Sequence, residues 1–333
     1  MPSSTVHAYP RPGEVLEDKY AVERLVGEGA MGAVFQATHL LRQAPVALKF
    51  MSPTIIDAPG VVERFLNEGV AASRINNEHV VAVLDVSKLP NGLPYLVMEY
   101  LEGENLEQLL VREGKPGLED ASRAVHFVLQ VLRALQAAHR SGIVHRDLKP
   151  ANCFVVRKDD DADFIKILDF GISKVQPAPP KSGTQPGVAP SPLNLTGIGA
   201  ALGTPLYVSP EQARNPTNVD ARSDLYSVAV MLYELLCGRT PFEPESGSLS
   251  ELFMLLATAA PVSLDEHRHD LPPGLADVVQ RGLAKSPDDR FQSSAEMADA
   301  LLPYADRRSE LTLRQLLHRP SLGPRTFRTY WPR

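Results

Sequence analysis

His145-Arg146-Asp147-Leu148-Lys149-Pro150-Ala151-Asn152, followed by Asp169-Phe170-Gly171, is the part of this chain whose reading decides the fold. It sets out a candidate base in Asp147, a cation suited to phosphate in Lys149, and two oxygen ligands for a metal in Asn152 and Asp169. Mg²⁺ takes few protein carboxylates and keeps phosphate oxygens and waters in its shell, which suits a site of one Asp and one Asn. Taken singly, each of these residues reads as a solvated loop charge. Their order is what carries the chemistry.

Upstream, Gly27-Glu28-Gly29-Ala30-Met31-Gly32-Ala33-Val34 spells G-x-G-x-x-G-x-V, and glycines let a backbone approach phosphates closely enough for its N–H groups to bond them. The run lies between two predicted strands, and no Gly-Lys-Ser/Thr follows, so the dinucleotide-binding and Walker readings are disfavoured. Val46-Ala47-Leu48-Lys49 puts an ammonium on an apolar strand, where it would be costly unpaired. Glu68 is the available partner because it shares a helical face with Phe65, Ala72 and Ile75, whereas Glu63 lies off that face.

Around these motifs the pattern changes once. From Tyr20 to Tyr100, β-branched runs at Ala21–Val26, Ala33–Thr38, Pro45–Phe50, Val80–Val86 and Pro94–Tyr100 are separated by turn residues, which predicts a small antiparallel sheet with one helix. After Gly103 the pattern becomes helical. Ala124, Val125, Val128, Leu129, Leu132 and Leu135 form a stripe between Glu119-Asp120 and Gly142, and Leu225 to Cys237 is apolar almost all round, as a buried helix is. The fold class is therefore α+β, with a β-rich N-lobe and a larger helical C-lobe.

Composition narrows the function. A formal charge of -6 disfavours nucleic-acid binding, and two cysteines, Cys153 and Cys237, make no disulfide framework. The N-terminus lacks the apolar core of a signal peptide and the longest apolar run, Leu252 to Val262, is too short to span a bilayer, so a soluble, cytoplasmic protein is expected. Gln176 to Leu195 holds six prolines among Gly, Ser and Thr, a composition that predicts a mobile loop. Tyr304 to Arg333 holds seven arginines against Asp306 and Glu310 and reads as a solvated, basic tail.

Together these motifs resemble a bacterial eukaryotic-like (Hanks-type) Ser/Thr protein kinase, a likeness that runs from about Tyr20 to Pro303. It implies a bilobal protein-kinase-like fold: an N-terminal extension over 1–19, a kinase domain over 20–303 divided near 101/102, an activation-loop insertion at 176–195 and a tail over 304–333. It implies ATP and Mg²⁺, with Mn²⁺ as a substitute. Asp147, Lys149 and Asn152 take the catalytic roles, and Asn152 and Asp169 the metal. Gly27, Glu28, Gly29, Ala30, Met31, Gly32 and Val34 cover the phosphates, and Lys49 binds them while held by Glu68. Adenine is expected between Val34 and Ala47 on one side and Phe154 on the other, against the hinge Glu99-Tyr100-Leu101, with Met98 as gatekeeper.

The resemblance also implies scaffold residues. Glu211 should pair with Arg290, and Asp224 should brace the catalytic loop. Glu234 matches a position that binds basic substrate residues in some kinases, although a satisfied structural carboxyl is the simpler reading. Lys149 and Thr204 match the Ser/Thr rather than the tyrosine form, so protein Ser/Thr hydroxyls are the expected acceptors. Transient self-association would serve trans-autophosphorylation at Thr196, whose phosphate Arg146 would bind, whereas Ser182, Thr184 and Ser191 lie inside the insertion. Two alternatives stand beside this reading. A scaffolding pseudokinase would lack a lysine, base or metal ligand, and a small-molecule kinase would lack Gly203–Glu211 and Arg290.

Overall fold

A computed structural model describes residues 8–113, 117–159, 161–170, 205–216 and 219–317. The insertion at 176–195, Thr196, Thr204 and the tail beyond Leu317 lie outside these residues. The described chain forms two compact units, one of residues 8–76 and 80–102, the other of 77–79 and 103–317 without the gaps just given.

The first unit is an antiparallel sheet of β1 (Val15–Leu16), β2 (Tyr20–Gly29), β3 (Gly32–His39), β4 (Ala44–Met51), β5 (Val83–Lys88) and β6 (Pro94–Glu99), ordered β1-β2-β3-β4-β6-β5. Successive strand side chains point to opposite faces. Val46, Leu48 and Phe50 therefore join Ala33, Phe35, Ala37, Tyr95 and Val97 in one core cluster, while Ala47 and Lys49 face the other way with their cross-strand partners Val34, Leu96 and Met98. Helix α1 (Val61–Ser73) lies so close to β6 that a Cβ on Gly69 would come within 2.4 Å of the Leu96 side chain. Phe65 and Ala72 are buried on α1 and Ile75 just beyond its end, with Glu68 half-buried and Glu63 exposed.

Two expectations shift here. The strand predicted at Val80–Val86 begins at Val83, because residues 77–79 belong to the other unit: His79 accepts a backbone bond from Ile167 at 2.8 Å and its Nδ1 bonds the Ile165 carbonyl at 2.9 Å. The extension 1–19 is part of the sheet in its later half, since Val15 and Leu16 pair with Ala21 and Tyr20.

The second unit is built on α3 (Ala121–Arg140) and α5 (Ala221–Cys237). Asp120 caps α3 by accepting from Ser122 N–H at 2.8 Å, and Asp220 likewise caps α5 from Arg222 N–H at 2.9 Å. Gly238, at φ 73°, ends α5 in the left-handed conformation that glycine adopts freely. Around them lie α2 (Leu106–Glu113), α4 (Pro210–Arg214), α6 (Leu249–Thr258), α7 (Leu264–His267), α8 (Leu275–Gly282) and α9 (Ser294–Leu301).

Two elements depart from the sequence reading. A three-stranded sheet of β7 (Gly103–Asn105), β8 (Cys153–Lys158) and β9 (Asp161–Ile167) interrupts what was read as helical. The tail boundary at 304 also moves. Helix α10 (Glu310–Leu317) packs on α3 and α9 with Leu313 and Leu316 fully buried, and Arg308 bonds Asp163 at 2.9 Å. Residues 304–317 are thus packed structure rather than a solvated appendage, because their leucines recur at helical spacing under the arginines.

Candidate active site

In the second unit, the loop of residues 145–152 is held by a buried carboxylate. Asp224, near the start of α5, accepts the backbone N–H of His145 and of Arg146, each at 2.9 Å. His139, at the end of α3, reaches the same carboxylate through Nε2 at 2.7 Å. This bracing holds Arg146 at φ 66°, a region a non-glycine residue occupies only when its surroundings over-determine it.

His145 is fully buried and held neutral, since burial pushes its pKa down despite the nearby carboxylates. Its Nε2 bonds the Leu168 carbonyl at 3.0 Å, its Nδ1 accepts Asp147 N–H at 3.3 Å, and its ring packs 4.7 Å from that of Phe170. One side chain thus ties the loop that carries Asp147 to the segment that carries Asp169.

Asp147 is half-buried, with its carboxylate 3.5 Å from Lys149 Nζ. Asn152 donates through Nδ2 to the Asp147 carbonyl at 2.8 Å, which commits the amide nitrogen and leaves Oδ1 as the acceptor end. The Asn152 carbonyl in turn accepts Leu168 N–H at 2.9 Å, and Asp169 follows at φ 48°. Asn152 and Asp169 are therefore held side by side in the chain's hydrogen-bond pattern, and one neutral plus one anionic oxygen donor fit a hard divalent cation. Phe154 sits half-buried on β8, opposite Asn105 and Lys166.

In the first unit, the predicted phosphate cover is the hairpin of β2 and β3. Gly27 pairs with Val34, Glu28 with Ala33 and Gly29 with Gly32, leaving Ala30-Met31 as the turn. The glycines differ in kind. A Cβ on Gly32, at φ 153°, would stand 1.9 Å from the Phe50 carbonyl oxygen, so this glycine serves the packing of the hairpin itself. A Cβ added to Gly27 or Gly29 would meet nothing within 4 Å, so there is open space on that side of the backbone for a ligand to approach. Lys49 stands opposite Val34 on the face of Ala47 and Met98, the latter two buried. At the end of β6, Glu99 accepts Ala82 N–H at 2.7 Å through its carboxylate, and Leu101 is half-buried.

The scaffold expectations are met. Arg290 is fully buried and forms a bidentate pair with Glu211, both bonds 2.8 Å. Glu234 accepts the Tyr207 hydroxyl at 2.5 Å and is thereby satisfied within the unit, while burial raises its pKa. Two supporting residues escaped the sequence reading. His139 carries no signal beyond standing near a helix end, and Gln212, which donates to the Arg146 carbonyl at 2.7 Å, would be noticed only as the neighbour of Glu211.

An antiparallel sheet with one helix, and a helical unit whose buried carboxylate braces a loop bearing Asp, Lys and Asn, define the protein kinase fold. The protein kinase domain family matches residues 20–301, and the chain belongs to it. It is 39% identical over 295 residues to serine/threonine-protein kinase pkn3 of Myxococcus xanthus, covering 89% of this chain and 51% of that protein. It is 35% identical over 291 residues to serine/threonine-protein kinase PknB of Mycolicibacterium smegmatis, covering 86% of this chain and 43% of that one. The crystal structure of the Mycobacterium tuberculosis PknI kinase domain superposes with a TM-score of 0.65 at 27% identity, over 90% of this chain and all of that one. The chain spans about half the length, or less, of the curated relatives it matches. Among the described residues no helix is long and apolar enough to cross a membrane.

Proposed function

We propose that this chain is a Ser/Thr protein kinase that transfers the γ-phosphoryl group of ATP to Ser and Thr hydroxyls of proteins. The observation that carries the reading is the joint presence of Asp147, Lys149 and Asn152 on a loop braced by Asp224, with Asp169 adjoining. In this reading Asp147 orients the acceptor hydroxyl and takes its proton as the new O–P bond forms and the bond to the β-phosphate oxygen breaks. Lys149 offsets charge on the transferring group. Lys49, oriented by Glu68, binds the α and β phosphates, and the backbone of Gly27, Glu28, Gly29, Ala30, Met31 and Gly32 covers them. Val34, Ala47, Met98, Glu99, Leu101 and Phe154 are assigned to adenine. Asn152 and Asp169 would hold Mg²⁺, or Mn²⁺ in its place, which supplies charge neutralisation on the phosphates when bound.

The reading extends to control and location. Arg146 has a buried guanidinium nitrogen with no hydrogen-bond partner among the described residues, and a phosphate on Thr196 would supply oxygens for it. Trans-autophosphorylation there would need only transient self-association. A cytoplasmic setting follows from the substrate, since ATP is the donor. The test is incubation with labelled ATP and Mg²⁺, with phosphosites mapped on the chain and on a generic basic protein. Label on Ser and Thr, with Thr196 among the sites and Thr196→Ala less active, is expected. Fully active enzyme unmodified at Thr196 would remove the control mechanism, and absence of transfer would remove the kinase reading.

A further inference from the structure

Tyr9 lies ahead of every motif, yet its ring is part of the first unit's aromatic cluster. Its centroid stands 6.0 Å from that of Phe35 and 6.3 Å from that of Phe50. Phe50 in turn meets Phe35 edge-on at 5.7 Å and stacks on Tyr95 at 5.2 Å. Pro10 is buried beside it, and the following residues are tied to β2: Gly13 N–H donates to the Val22 carbonyl and Val22 N–H to that of Glu14, both at 2.8 Å. Residues 13–16 therefore run along the sheet edge beside β2, and the strap they form with 9–12 sets the Tyr9 ring on the face opposite to Ala47 and Lys49.

The strap ends on the residues that support the glycine-rich turn. Ala33 pairs with Phe50 and Gly32 with Met51, Gly32 rests on the Phe50 carbonyl, and Ser52 N–H donates to the Met31 carbonyl at 2.9 Å. On its outer strand the hairpin is exposed from Glu23 to Gly29, is held there by side-chain bonds of Glu23 to Thr38 and Arg24 to Tyr100, and pairs irregularly with β3 between Leu25 and Gly27. The turn itself is supported from the β3 side by the end of β4.

From these contacts we infer that Tyr9 is a positioning residue for nucleotide binding, acting through Phe50 and the end of β4 on the turn at Ala30-Met31. The inference rests on the reading of that turn as the phosphate cover. Without the ring, the end of β4 and the turn gain freedom that ATP must remove on binding, so affinity falls while the chemistry at Asp147 is unaffected.

The experiment compares wild type, Tyr9→Ala, Tyr9→Phe and Tyr9→Leu by amide hydrogen exchange, without nucleotide, and by KM for ATP and kcat with a generic basic protein as acceptor. For Tyr9→Ala we expect faster exchange over residues 27–33 with β5 unchanged, and a rise of about threefold to tenfold in KM for ATP with kcat within about twofold. Tyr9→Phe, which keeps the ring, should restore most of both effects, and Tyr9→Leu, which keeps apolar volume without the ring, should restore less. Unchanged exchange over 27–33, or equal acceleration throughout the first unit, overturns the inference, the latter because it makes Tyr9 a general stabiliser. Because exchange requires no nucleotide, a wild type that fails to bind ATP would overturn the kinase reading while the exchange comparison still decides the role of Tyr9.

Discussion

Replacing Glu211 with alanine strands a cation. Arg290 has no solvent exposure, and its two bonds to Glu211 are the ones that neutralise it; its remaining partners are the carbonyls of Ala284 at 2.7 Å, Lys285 at 3.0 Å and Arg222 at 3.3 Å, and the ring of Tyr226 at 4.8 Å. Burial alone would raise the Glu211 pKa, yet hydrogen bonds and charge from Arg290, with a hydroxyl from Ser223, hold it below the ordinary value. Removing one partner of such a buried pair costs about 3–5 kcal/mol, against a typical domain stability of about 5–15 kcal/mol. In urea, where the free energy falls by about 1–3 kcal/mol per molar for small proteins, the midpoint should drop by more than about 1 M. Glu211→Gln, which keeps the shape and an acceptor but not the charge, should lose less. The damage should also reach the reaction, because α4 carries Gln212 and through it the Arg146 carbonyl, so kcat should fall at temperatures where the protein stays folded. A urea midpoint for Glu211→Ala equal to that of wild type would refute the reasoning.

Other outcomes follow from the same contacts. Burial holds His79 neutral with a pKa of about 4 against an ordinary 6.5, its Nε2 accepting from Arg133 at 3.2 Å. The folded value lies below the unfolded one, so the unfolded chain takes up the proton first: stability is full above about 6.5 and erodes as pH falls towards 4, by about 3 kcal/mol in all. Melting temperature against pH should therefore be flatter over that range in His79→Gln. Glu78 adds a later acid step, since bonds from Lys158 and Arg133 outweigh its burial and depress its pKa from 4.5 to about 2, and its contribution is lost as pH falls through that range. Leu313→Ala should cost about 2–5 kcal/mol in denaturant unfolding, and truncation after Pro303 should destabilise the chain rather than leave it unchanged.

The two lobes and the site motifs were legible because each depends on a local signal. The period-two alternation of Val46, Leu48 and Phe50 marks β4, the all-round apolar run at Leu225 marks α5, and the loop from His145 to Asn152 carries its chemistry in consecutive positions. What was missed depends on long-range packing. The β8–β9 hairpin lies between two motifs whose loop character dominated the reading, although Cys153–Val156 and Phe164–Ile167 are β-branched and aromatic enough to suggest it. Helix α10 was hidden by the arginines that surround Leu313 and Leu316, and the strap at Tyr9 by its brevity: a two-residue strand has no period to detect. The Asp224 brace was reached only through the family resemblance, since a lone Asp near a helix start otherwise reads as a cap.

The assignment of Asp147 is tested most directly by the initial rate of γ-phosphoryl transfer from labelled ATP, with Mg²⁺ and a generic basic protein, in wild type and Asp147→Asn at matched nucleotide occupancy. Lys49→Met and Asp169→Asn, both expected to fold, serve as companions for the proposed positioning and charge-stabilising roles. The expected result is a rate lower by on the order of 10² or more in Asp147→Asn with ATP affinity retained, because the variant keeps the side-chain volume and loses only the carboxylate proposed to accept the proton. Transfer by Asp147→Asn at the wild-type rate would contradict the account.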